Sequence, residues 1–170
     1  MRWLPILFIP AVLLIQAQNS DLPARAGRGQ ALFFEEGKGC GTCHSLAGKG
    51  TAVGPDLKRL ARLNPHAIVA AIKATRTQYV QQIKLKSGDV FPAMIVTQDD
   101  KAVQAFDMNK KPPAEKKIAR SDVASITDNE KWKHPPESAD YNAEQLADII
   151  SYIRYVGAGD KTGVAPSDVE

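Results

Sequence analysis

The stretch GKGCGTCHSLAGKGTAVGPDL, Gly37 to Leu57, holds both cysteines of the chain, Cys40 and Cys43, and His44 follows the second directly. Few folds have a use for that arrangement. A disulfide between Cys40 and Cys43 would close so small a loop that it would barely constrain the unfolded chain. A redox dithiol belongs at a strand-to-helix junction, and here a helical pattern rather than an apolar strand precedes Cys40. A structural zinc site needs four ligands, usually from two such pairs, whereas the chain has two Cys and three His in all. The remaining reading is covalent haem: Cys-x-x-Cys-His is the attachment pattern, with two thioethers to the haem vinyl groups and the next residue's imidazole turned under the ring toward iron. Gly41 and Thr42 are small enough to let the backbone press against a macrocycle. Haem is favoured, with the redox and zinc readings as its competitors.

The leader bears on the same question. MRWLPILFIPAVLLIQAQNSDLPARAG starts with Arg2 and an apolar run, Leu4 to Ile15, interrupted by Pro5 and Pro10. That run is shorter than the roughly 20 residues of a membrane-spanning helix. It reads as a secretory signal peptide over residues 1–20, cleaved near Ala17. The alternative is an uncleaved membrane anchor, because Ile15-Gln16-Ala17 is a poor small-x-small site. Either way the folded part is expected to be exported, periplasmic, and at a membrane only if the leader is retained. The net charge of +3, without a basic run interleaved with aromatics, argues against a nucleic-acid partner. The lysines from Lys110 to Lys133 are mixed with acids, which gives a solvated face or a modest docking patch for an acidic partner.

Along the chain, a helix is expected from about Pro23 or Ala26 to Glu36, with Gly37 as its stop. A glycine-rich loop follows to Gly54, then a short helix in PDLKRLARL, then a helix begun by Asn64 as cap and Pro65 at the first position. From Tyr79 the period changes to two. Val80–Leu85, Val90–Thr97 and Ala102–Asp107 read as hairpins or a three-stranded meander, with Pro92 pushing its strand to an edge and IARSDVASITD a candidate fourth strand. NAEQLADIISYIRYVG is the last helix, capped by Asn142 or Asp140, with Leu146, Ile149, Ile150 and Ile153 on its buried face and Gly157 ending it. Residues 158–170 are expected to be a disordered tail.

With these residues in hand, the chain resembles a class I c-type cytochrome. The resemblance is carried by RGQALFFEEGKGCGTCH, by GPDL at Gly54–Leu57, and by the last helix, over about 26–63 and 132–156. It implies a mainly α, cytochrome c-like fold over residues 21–157, with a β-rich insert at 79–128 before the ligand loop and C-terminal helix. It implies that the first and last helices cross at Gly29, with Phe33 and Tyr152 filling the contact. It also implies that the Pro55 carbonyl accepts the Nδ1 proton of His44, leaving Nε2 for iron. With less specificity, the chain looks like the haem domains associated with large periplasmic dehydrogenases.

Family members usually supply a distal methionine on the loop before the last helix, and this loop has none. It has His134, ahead of Pro135 and Pro136, which is the expected distal ligand; Met108 and Met94 are the alternatives. Trp132 is a candidate for packing on the haem, and Lys58, Arg59 and Arg62 for pairing with its propionates, although a solvated face is the plainer account of those cations. His66 is expected to be structural or solvent-exposed. The expected function is that of a mono-haem, bis-His, one-electron carrier rather than an enzyme, holding one haem c and serving redox protein partners such as a periplasmic dehydrogenase or oxidase. The alternative is a haem enzyme or gas-binding sensor whose distal ligand is open or displaceable.

Overall fold

The structure is a computed structural model that describes residues 22–73, 79–134 and 140–170. The expected leader, residues 1–20, and the prolines that follow His134, Pro135 and Pro136, lie outside the described residues. Among the described residues are three α-helices: α1 (Ala24–Phe33), α2 (Pro65–Lys73) and α3 (Ala143–Ala158). There are also seven strands: β1 (Ser45–Leu46), β2 (Lys49–Gly50), β3 (Val80–Leu85), β4 (Val90–Gln98), β5 (Ala102–Asp107), β6 (Ala114–Ala119) and β7 (Val123–Asp128). The architecture is therefore mixed α and β, which corrects the mainly α expectation. Alternation continues through β6 and β7 beyond the meander, and the strands enclose a core of their own.

The helical part is organised by one crossing. A Cβ placed on Gly29 would overlap the Asp148 carbonyl oxygen, so α1 and α3 approach backbone to backbone there. One turn on, Phe33 packs edge-on to Tyr152 with ring centroids 5.6 Å apart. Polar groups close the other end: Asp148, 2% exposed, accepts from Arg25 Nη1 at 2.9 Å and from Arg28 Nε at 2.6 Å and Nη2 at 2.9 Å. The start of α3 is set by Asn142, which accepts from the Gln145 N–H at 2.9 Å while Gln145 accepts from the Asn142 N–H at 3.1 Å, a reciprocal cap. The helix continues past Gly157 and ends at Gly159, whose φ of +71° is the left-handed conformation a C-terminal cap requires. Gly157 is instead a packing glycine, because a Cβ there would collide with the Ala61 Cβ.

The tail also differs from expectation. Val164 and Val169 are each 2% exposed in the helical core, and the Val164 N–H donates to Ser151 Oγ at 2.8 Å. Two well-spaced valines in a polar, glycine-containing segment have no periodicity to show that they dock.

Strands β3–β7 form one antiparallel sheet in the order β6-β5-β4-β3-β7. The outer strands, β6 and β7, are joined only by the 3-10 turn Arg120–Asp122. In a flat sheet of five strands they would stand at least roughly 19 Å apart, more than the about 15 Å that the steps from Ala119 to Val123 can reach. The sheet therefore rolls up. The Arg120 N–H reaches the Lys101 carbonyl at 2.8 Å and the Lys86 N–H reaches the Asp122 carbonyl at 2.8 Å, tying the connections before and after β4 to this turn. A register shift between Ile95 and Thr97 lets β4 bend. Ile83, Phe91, Ala93, Val103, Ala105, Ile118 and Val123 fill the interior of the roll, a core separate from the helical one. Pro92 lies in this interior strand rather than at an edge. Its carbonyl accepts from the Met108 N–H just past the end of β5, so its missing N–H faces a position where no ladder bond is needed.

Replacing Gly29 with Ala should lower stability by about 1–3 kcal/mol or more through overpacking of the helix crossing. Denaturation midpoints should fall while Gly27→Ala, where a Cβ meets nothing within 4 Å, stays close to wild type.

Candidate functional site

The Cys40–Gly54 stretch is folded by its own backbone. Cys40–Thr42 form a 3-10 turn, and the His44 N–H returns to the Cys40 carbonyl at 2.8 Å. β1 and β2 pair through Ala47 and Gly48, both at positive φ (50° and 81°), as a tight two-residue hairpin demands. The Cys43 carbonyl then accepts from Val53 at 3.1 Å and Gly54 at 2.7 Å, which returns the chain to the His44 ring. A Cβ on Gly54 would lie 2.5 Å from His44 Cε1 and 2.8 Å from Nδ1. Only a glycine lets the backbone lie so close to that ring. Sequence reasoning misses this role for Gly54, although a GP pair shortly after a ligand candidate is the available signal.

His44 Nδ1 lies 2.8 Å from the Pro55 carbonyl oxygen. A carbonyl only accepts, so Nδ1 carries the proton and Nε2 keeps a lone pair. Burial pushes the His44 pKa down, against the opposing pull of the Pro55 carbonyl. Asp56 secures the same corner: its carboxylate accepts from the Lys58 N–H at 2.8 Å and the Ala47 N–H at 3.3 Å, and these bonds hold its pKa below the ordinary carboxylate value.

Across a cavity from His44 stands His134. The ring centroids are 6.1 Å apart and the planes 25° from parallel. Two metal–imidazole bonds of roughly 2 Å each, plus the ring atoms on either side, add up to about 6 Å. Burial lowers the His134 pKa, with the His44 ring adding to it. Both imidazoles are thus kept in the neutral form a metal requires. His134 Nδ1 is buried without a hydrogen-bond partner among the described residues.

The cavity is lined on one side by Gly37–Cys40 and Thr42–His44, and on the other by Met108, Lys110, Lys111, Pro113 and Trp132–His134. It brings together Cys40, Cys43, His44, Trp132, His134 and Met108. It leaves out Met94, which lies between Val80 and Phe106 in the sheet register, and also Lys58, Arg59, Arg62 and the exposed His66. The cations at its rim are Lys38, Lys110, Lys111 and Lys133 instead. The thiols are free, and burial pushes Cys40 up to about 11 and Cys43 in the same direction. Redox dithiols show the opposite shift, and among the described residues no group of three metal-ligating side chains forms a cluster. Two sulfurs on one wall and two facing imidazoles suit a flat macrocycle whose metal lies between the rings.

In comparisons with known proteins, the family model described as "Cytochrome c" matches residues 26–157. A search of curated proteins finds no match.

Asp56→Ala should destabilise the protein by about 1 kcal/mol at neutral pH through loss of the cap. Because the folded pKa of Asp56 is depressed, the charge-dependent part of its contribution is present above the ordinary carboxylate pKa and lost as pH falls through the folded value. Urea midpoints of wild type and variant should therefore converge in acid.

Proposed function

The chain belongs to the cytochrome c family, whose members hold haem c covalently and generally carry electrons, and from that premise we propose that it is a mono-haem, bis-His class I member moving one electron at a time in an exported, periplasmic chain. The observation that carries this reading is the pair of facing imidazoles, His44 and His134, at 6.1 Å. The haem supplies an iron that changes oxidation state by one electron. Cys40 and Cys43 hold it through two thioethers. His44 is the proximal ligand, oriented by its bond to Pro55, and His134 is the distal one. Trp132 closes the wall beside His134.

Two strong ligands on separately anchored segments keep the coordination alike in both oxidation states, which suits a carrier better than a catalyst. The hairpin and the Cys43 carbonyl hold the His44 side. Asn129 holds the other: its side-chain oxygen accepts from the Trp132 N–H at 3.0 Å, and its amide donates to Gln82 on β3 at 2.9 Å. Lys38, Lys110, Lys111 and Lys133 around the mouth favour a redox partner with an acidic face. The rolled five-stranded sheet is the β-rich insert of this reading, and the segments leaving it supply one wall of the haem site.

Protein made in a host with cytochrome-maturation machinery should exceed the mass of its own polypeptide, with the leader removed or retained, by one haem and keep its colour through acid-acetone. Its reduction potential should lie below that of His/Met relatives, since two imidazoles favour ferric iron more than a thioether does. The reduced protein should bind carbon monoxide slowly or not at all. A thioether-to-iron band in the far red counts against His134 in favour of a methionine ligand, and rapid carbon monoxide binding favours the open-site alternative.

A further inference from the structure

Two side chains of a kind that can ligate iron, not one, stand on the wall facing His44. His134 and Met108 line the same cavity, and they come from segments 26 positions apart in sequence, both tied to the rolled sheet. We propose that Met108 is a reserve distal ligand: when His134 leaves the iron, the Met108 sulfur takes its place and the site stays closed. This rests on the bis-His reading above.

The backbone of Met108 and the residues on either side of it are held in place. The Met108 N–H donates to the Pro92 carbonyl on β4 at 2.9 Å. The carboxylate of Asp107, 4% exposed, accepts from the Asn109 N–H at 3.0 Å and lies 3.0 Å from Lys116 Nζ. Lys116 in turn sits 4.3 Å over the Phe91 ring. The point of attachment is rigid while the side chain is not. Methionine is unbranched with three rotatable bonds, so its sulfur can sweep a volume that a shorter or branched side chain cannot.

The chemistry singles out Met108 among its neighbours. Lys110, Lys111 and Lys133 line the same cavity, but an ammonium has no lone pair until it gives up a proton. A thioether has no proton to lose. The exchange breaks one iron–nitrogen bond and forms one iron–sulfur bond, with no change in protonation at the sulfur. A soft sulfur favours ferrous iron, so the exchange should be most complete in the reduced protein and should raise the potential. Met94 cannot serve in this way, since it lies in the sheet and outside the cavity.

The test uses the haem-loaded protein and three variants, His134→Ala, Met108→Leu and the double variant. Expected are no thioether band in wild type or in Met108→Leu, and a low-spin His134→Ala protein with a far-red thioether band, a raised potential and slow carbon monoxide binding. The double variant should lose the band, become high-spin and bind carbon monoxide faster. A His134→Ala protein that is high-spin in both oxidation states, with neither the thioether band when oxidised nor the upfield-shifted methionine methyl resonance when reduced, overturns the reserve role and leaves the bis-His reading standing. A wild-type protein that already shows the band, lost in Met108→Leu, overturns the bis-His reading and the reserve role with it. Should His134→Ala fail to retain haem, His134→Gln keeps the bulk of the wall and is read in the same way, with the upfield-shifted methionine methyl resonance of the reduced protein as second measurement.

Discussion

The bond from His44 Nδ1 to the Pro55 carbonyl, 2.8 Å long, is the constraint around which the rest of the site is arranged. It selects one tautomer, frees Nε2 and sets the plane of the ring. The bond exists because the chain doubles back within a dozen residues, and each element of that return has a local cause. The hairpin turns through two residues at positive φ, the Cys43 carbonyl takes two N–H groups, and Gly54 leaves no side chain between backbone and ring. Asp56 then anchors the strand of chain that carries Pro55.

The cavity beside that ring has a second wall, and the rolled sheet provides it. Its interior is complete without the helices, and the 3-10 turn between β6 and β7 forces the roll that makes it so. The segments that reach the cavity, 108–113 and 132–134, are held to β4 and β3 by the Pro92 carbonyl and the Gln82 side chain. The helical part supplies the other wall, and it is held by a crossing so close that only glycine fits at position 29. Two cores thus face each other across one cavity, each with its own set of buried side chains.

Much of the site is legible in the sequence because covalent and coordination chemistry impose short spacings. Cys40, Cys43, His44 and the GP pair lie within one stretch, and patterns within a stretch survive in sequence. The helix crossing is legible from Gly29, Phe33 and Tyr152 for a similar reason: a helical glycine one turn from an aromatic marks a place where two backbones can meet. The fold class is not legible in the same way. Counted as an appendage to the helices, the strands leave a mainly α protein, whereas β6 and β7 complete a five-stranded sheet with a core of its own. Pro92 points to an edge because the rule concerns a missing N–H, and only pairing shows which side that N–H would face. The tail reads as disordered because Val164 and Val169 bury by reaching a pre-existing core, not by any pattern of their own.

By itself, then, the order of residues determined the attachment motif, the identity of its imidazole, the glycine at the crossing and the capped starts of α2 and α3. These depend on neighbours a few positions away, or on residue types with few substitutes. Only the tertiary structure decided that His134 faces His44, that Met108 rather than Met94 shares their cavity, that lysines 38, 110, 111 and 133 form its rim, and that the sheet rolls around a core of its own. Those facts depend on the roll of a sheet and the approach of two cores, distances that no spacing along the chain encodes.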